Sequence, residues 1–189
     1  MPLLGVLASA VLFVLAATRF PGGYDWAHHY ISMLLRPIGP DALDNPARPL
    51  GVTAMGVLCL SVGAVFLRIS RRAERRFHQV TLQIAGPASM VYAFLAVTPL
   101  HDLMVTISVA FFLAAMSSAL HLMAVERRYR MLVTGSLCLA TMVVTAVMYY
   151  GDVLTGWMAI AQKLTFLSCV GWLLVLDLRA AHRGKTTNP

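Results

Sequence analysis

Imidazoles and carboxylates meet at three connections of the chain. Asp25 stands close to His28 and His29, His101 is followed by Asp102, and Asp152 follows Tyr149-Tyr150-Gly151. Imidazole nitrogen and carboxylate oxygen suit zinc and related divalent ions, so His28, His29, His101 and Asp102 form a candidate set for one divalent metal. The same groups suit a general acid and base, because a neighbouring carboxylate moves a histidine pKa. His101, Asp102, His28 and Asp25 are the catalytic candidates on that reading. The spacing selects neither chemistry, since no HExxH, paired CxxC, GxSxG or P-loop occurs. Trp26, Tyr30, Ser32, Asp152, Gln162 and Lys163 are candidate ligand-binding positions around these groups.

The elements that must position them are long apolar runs. Of the 189 residues, 59% are hydrophobic and 12% charged, a balance that one soluble core of this size cannot hide. The runs are continuous rather than striped, and several reach the roughly 20 residues that cross a bilayer. Backbone groups in hydrocarbon must be satisfied within the segment, and no barrel-like alternation is present. The expectation is an all-α, polytopic membrane protein with six transmembrane helices in a single transmembrane domain, 1–189. The spans are expected at about 3–20, 50–68, 80–98, 103–125, 131–149 and 156–178. The first run lacks the positive segment that opens a secretory signal, which favours a retained span.

Basic residues orient the spans. Of the 15 lysines and arginines, all but Arg19, Arg36, Arg48 and Lys163 fall on one side of the six-span arrangement. The positive-inside rule makes that side cytoplasmic, with both termini there; the expected location is the cell (inner) membrane. A net charge of +7 carried in short junctions is a topology signal and a contact for anionic headgroups, not a nucleic-acid footprint. Asp25, Asp41, Asp44, Asp102 and Asp152 then share the outer side with His28, His29 and His101, where four junctions could face one shallow cavity.

The first outer loop, about 20–49, is the longest connection. Tyr24 to Arg36 can form a short interfacial helix, with Asp25 as N-cap and Pro37 ending it. Helical spacing would align Trp26, Tyr30 and Met33 and bring Asp25 near His28 and His28 near Ser32. Such a helix serves either as an aromatic anchor at the headgroups or as part of a site.

Inside the spans, Gln162-Lys163 is a functional candidate by depth, and Lys163 can equally snorkel to the interface. A pairing of Lys163 with Asp152 or Asp102 would satisfy its charge. His78 and His121, near arginine clusters, read as interface residues. Gly86-Pro87 should kink or open the third helix. Cys59, Cys138 and Cys169 lie in apolar runs without paired spacing and read as packing residues. Gly51, Gly56, Gly63, Gly135 and Ser136 could permit close helix packing within the chain or between chains.

Gly156-Trp157-Met158-Ala159-Ile160-Ala161-Gln162-Lys163-Leu164, with Trp172 and Leu178-Arg179, resembles the Gly-x-x-x-x-Gln-Arg pattern and downstream Trp and Leu-Arg that close the DUF998 family of six-span proteins. His101-Asp102 running into Phe111-Phe112 is similar to that family's fourth span. Tyr30-Ile31-Ser32 and Asn45-Pro46 resemble its outer-loop elements. Met33-Leu34-Leu35 departs from the acidic residue, Leu and Gly expected there, and Lys163 stands in place of Arg. The family is distantly similar to the Frag1, DRAM and Sfk1 group, which implies a connection with membrane lipids.

The expected function is an outward-facing polar cavity that binds lipid or serves membrane organisation. The alternative is a metal-assisted or acid-base hydrolase or transferase acting on a lipid at the outer leaflet. A transporter ranks below both, for want of polar residues at mid-span and of an inverted repeat. Expected partners are membrane lipids and a membrane protein or a second copy of the chain, without nucleic acid.

Overall fold

The computed structural model describes residues 2–39 and 44–186, with side chains as far as 179. Asp41 and the side chains of Arg183 and Lys185 lie outside that description. The regular elements of the described chain are all helices, with no strand apart from one isolated bridge between Ile38 and Asp44. Six α-helices follow in order: α1 (Pro2–Thr18), α2 (Arg48–Ser70), α3 (Arg76–Leu95), α4 (His101–Val125), α5 (Tyr129–Gly151) and α6 (Met158–Thr186). A 3-10 helix, Ile31–Leu35, lies in the first connection, and a 3-10 turn, Thr155–Trp157, precedes α6.

Among the described residues, four segments are long and apolar enough to cross a membrane: Arg48–Ser70, His101–Val125, Tyr129–Gly151 and Thr155–Arg179. Pro2–Thr18 is a shorter apolar helix. α3 is not among the four, because its 20 residues include Arg76, His78, Gln79 and Gln83. The outward faces are apolar: Leu60 is 78% exposed, Leu167 73% and Val133 58%, which suits a hydrocarbon surrounding better than water.

Each of α2 to α6 packs on its neighbour in sequence, and α6 returns to α2, so these five close a ring. α1 packs outside the ring, along α2. The core inside combines Phe66 of α2, Leu82 of α3, Met116 and Met123 of α4, and Leu173 and Leu176 of α6, all under 2% exposed. Helices surrounded by lipid would gain little from hiding apolar surface, which leaves close approach and interhelical hydrogen bonds to hold them. A Cβ at Gly86 would lie 2.4 Å from Phe66, and one at Gly135 would lie 2.6 Å from Leu120 and Trp172. Gly56 and Gly63 meet only ordinary contacts. The buried Ser9 hydroxyl donates to the Ala54 carbonyl at 2.8 Å, and Ser108 donates to the Ser89 carbonyl at 2.9 Å.

Pro87 sits within α3, which remains one helix. Ser89 donates to the Gly86 carbonyl at 2.6 Å beside it, so a hydroxyl serves the backbone next to the proline. At the arginine-rich end Asp177 of α6 is 3% exposed and meets Arg68 at 3.0 Å and Arg72 at 3.6 Å, which ties α6 to α2.

Candidate functional site

The connection between α1 and α2 is not one helix from Tyr24 to Arg36. Asp25 begins a single turn: its Oδ1 accepts from the N–H groups of Ala27 at 2.8 Å and His28 at 3.3 Å, and its backbone carbonyl accepts from His29. The chain then extends at Tyr30, with φ −73° and ψ 148°, before Ile31–Leu35 coils as a 3-10 helix. Tertiary partners explain the break. The His29 carbonyl takes hydrogen bonds from the Tyr24 hydroxyl at 2.9 Å and the Lys163 ammonium at 2.5 Å. The Ile31 N–H donates to Gln162 Oε1 at 3.1 Å. Backbone groups that a continuous helix would pair internally are thus held by α6.

The expected stripe of Trp26, Tyr30 and Met33 does not form. Trp26 is half-exposed and packs edge-on to Tyr24, while Met33 joins the small core of Ala16, Phe20, Leu34 and Ala47. Ser32 lies in the 3-10 helix and makes no bond to His28 among the described residues. Asn45, 5% exposed, holds this fold-back. Its amide donates to the Met33 carbonyl at 3.1 Å and the Arg36 carbonyl at 3.0 Å, and its oxygen accepts from the Ala47 N–H. Below it, Gly51 gives the Leu34 carbonyl room: a Cβ there would lie 2.5 Å from that oxygen.

Asp25 and His28 do pair, Oδ2 to Nδ1 at 2.8 Å, on the exposed surface of the turn. That hydrogen bond, with help from the Ala27 N–H, holds the Asp25 carboxyl below the usual carboxylate range. The Asp25 N–H donates to Nδ1 of His29, so a neutral His29 carries its proton on Nε2. Its ring rests between Phe20 and Tyr24, with centroids at 5.3 and 5.5 Å. Burial pushes the Tyr24 phenol up to about 12, which keeps it a donor to His29.

His101 and Asp102 have separate partners. Nδ1 of His101 donates to the Ala96 carbonyl at 2.6 Å, leaving Nε2 as an acceptor in the neutral ring. Asp102 accepts from the Tyr149 hydroxyl at 2.5 Å, and Thr106 bonds to Tyr150 at 2.8 Å, joining α4 to α5. Asp152 is the left-handed C-cap of α5, with φ 51°.

Among the described residues no three His, Cys, Asp or Glu side chains gather into a group able to hold a metal ion. The expected set of His28, His29, His101 and Asp102 is therefore not assembled as a metal centre, because each side chain is engaged within its own turn or helix pair. Lys163 likewise pairs with neither Asp152 nor Asp102. It donates to the carbonyls of His29 and Ala159, the latter at 3.2 Å, and stands 5.7 Å from the Tyr24 ring centroid.

At the other end, His78 is 4% exposed rather than at the surface. Its Nδ1 meets the Ser118 hydroxyl at 2.9 Å, and its Nε2 meets Nδ1 of the exposed His121 at 2.9 Å. Sequence spacing gave no signal for this pair or for Asp177, whose partners lie on other helices. Asn45 had one, in the Asn45-Pro46 step before α2.

The fold and these contacts define an all-helical chain with four helices long and apolar enough to cross a membrane and a folded polar loop clasped by its last helix. Comparison with protein-family models, curated proteins and solved structures finds no match.

Proposed function

We propose that the chain is a six-span protein of the cell inner membrane, with both termini in the cytoplasm, that engages a lipid headgroup at its loop end and acts as a lipid-binding or accessory protein. α1 and α3 complete the six spans on this reading. The arginine asymmetry sets the loop end outward. The resemblance to the DUF998 family points to the same organisation.

The observation that carries the choice of binding over catalysis is the state of the candidate catalytic groups. Asp25 caps its own turn, and Asp102 is bonded to Tyr149. The Asp25–His28 pair and Trp26 are open at the end of the bundle, where an aromatic ring and a charged pair can meet the polar part of a lipid. Gentle extraction from the native membrane followed by lipid mass spectrometry should find one lipid class enriched. The enrichment should fall in Trp26→Ala and Asp25→Asn. Absence of any enriched class sinks this reading.

One observation favours the second reading, an acid-base hydrolase or transferase on an outer-leaflet lipid: Nε2 of His101 is left as an acceptor. Lipid turnover by the purified protein, lost in His101→Ala with helicity intact, would establish that reading in place of the first.

A further inference from the structure

A groove of about 740 Å³ runs between α5 and α6 from the arginine-rich end toward mid-bundle. Ligand sites commonly span about 300–1,000 Å³. Val133, Trp172 and Val175 give it apolar walls. Gly171 leaves a notch, since a Cβ there would meet nothing within 4 Å. Arg130, in the first turn of α5, and Arg179, where the apolar span of α6 ends, both line it at the arginine-rich end.

Of the described arginines at this end, only Arg130 and Arg179 line the groove. Arg68 and Arg72 turn to Asp177, and Arg128 turns to Glu126. Among the described residues, Arg130 and Arg179 pair with no carboxylate, although both border an apolar groove. A guanidinium fork matches the oxygens of a phosphate diester. Basic pockets between membrane helices at a cytoplasmic boundary take anionic headgroups.

We propose that this groove binds one anionic phospholipid from the leaflet at the arginine-rich end. Its phosphate lies on Arg130 and Arg179, and an acyl chain follows Val133, Trp172 and the Gly171 notch. The site is at the opposite end from the Asp25–His28 pair, so it stands or falls apart from the headgroup reading of the loop.

Trp172 lies in the groove wall and reports on its occupant, while Trp26 and Trp157 are exposed and can be replaced. The full chain carrying Trp26→Phe and Trp157→Phe is placed in phosphatidylcholine vesicles holding a minor fraction of brominated phosphatidylglycerol or of brominated phosphatidylcholine. Trp172 fluorescence should be half-quenched at a fraction of the anionic lipid roughly tenfold lower than of the neutral one. Gly171→Leu should fill the notch and abolish the preference, as should Arg130→Gln with Arg179→Gln. Equal quenching by the two lipids, or a preference that survives both variants, overturns the proposal. Should the tryptophan variant fail to fold, native mass spectrometry of the unaltered chain decides. Retained phosphatidylglycerol that is lost with the two arginines supports the site. Retention indifferent to them, a lipid-free monomer, or a lipid-free dimer with the groove filled by a second copy overturns it.

Discussion

The ammonium of Lys163 donates to the main-chain oxygen of His29 at 2.5 Å, across 134 positions of sequence. One residue earlier, Gln162 accepts from the Ile31 N–H, so two adjacent side chains of α6 hold both flanks of the extended residue Tyr30. A lysine inside an apolar helix is here satisfied by a loop carbonyl, and the loop is in turn denied a continuous helix.

Replacing both side chains, Lys163→Met with Gln162→Ala, should release the loop and leave the bundle intact. Loss of one charged and one neutral hydrogen bond is worth about 2 kcal/mol, which speeds local opening by roughly thirtyfold. Hydrogen exchange in 24–36 measures this directly, while exchange in α4 and α5 should stay unchanged. An unaltered rate in the loop would mean that α6 does not hold it.

The seat of the 3-10 helix depends on two other residues. Asn45→Ala takes the amide donor from the Met33 and Arg36 carbonyls, of which Met33 keeps the Arg36 N–H at 3.4 Å, and should cost about 1–3 kcal/mol. Gly51→Ala drives a methyl into the Leu34 carbonyl and should also lower the unfolding midpoint in detergent. Gly63→Ala, where the nearest atom would be 3.9 Å away, should be neutral or slightly stabilising. Equal midpoints for Gly51→Ala and Gly63→Ala would rule out the close approach.

Asp177 is buried, but Arg68 and Arg72 are 40% and 37% exposed at their side chains. Solvent screening places the pair between an exposed ion pair, at about 1 kcal/mol, and a buried one, at about 3–5. Asp177→Ala should therefore destabilise by roughly 2 kcal/mol, and Arg68→Gln by less because Arg72 remains. Chemical unfolding in detergent compares the two, and an Asp177→Ala chain as stable as the original would deny the latch.

Asp25 gives a pH dependence. Its carboxyl is held below its ordinary value of 3.8, chiefly by the His28 hydrogen bond. The turn therefore keeps this contribution above the ordinary carboxylate value and loses it as pH falls through the lowered one. Carboxyl carbon NMR should show Asp25 titrating below the ordinary value of 3.8 on acidification. In His28→Ala its titration should move back toward 3.8. No change in that variant would remove His28 as the cause.

The sequence by itself determined what depends on local chemistry and composition. Continuous apolar runs made helices, and each of the six begins and ends within a few residues of its expected span, apart from the C-terminal extension of α6. Arg36-Pro37 ended the short 3-10 helix, because the residue before a proline avoids the helical region. The Asp25–His28 contact was also legible, since both residues lie in one turn. Tertiary structure decided where the polar groups were used. Lys163 bonds to His29 rather than to an aspartate, His78 turns inward to Ser118 and His121, and Asp177 is buried under two arginines. It also engaged His101 and Asp102 apart from His28 and His29. The reason is physical: a backbone or side-chain group withdrawn from water bonds to whatever packing brings beside it, and helix packing joins positions that have no spacing rule in the sequence.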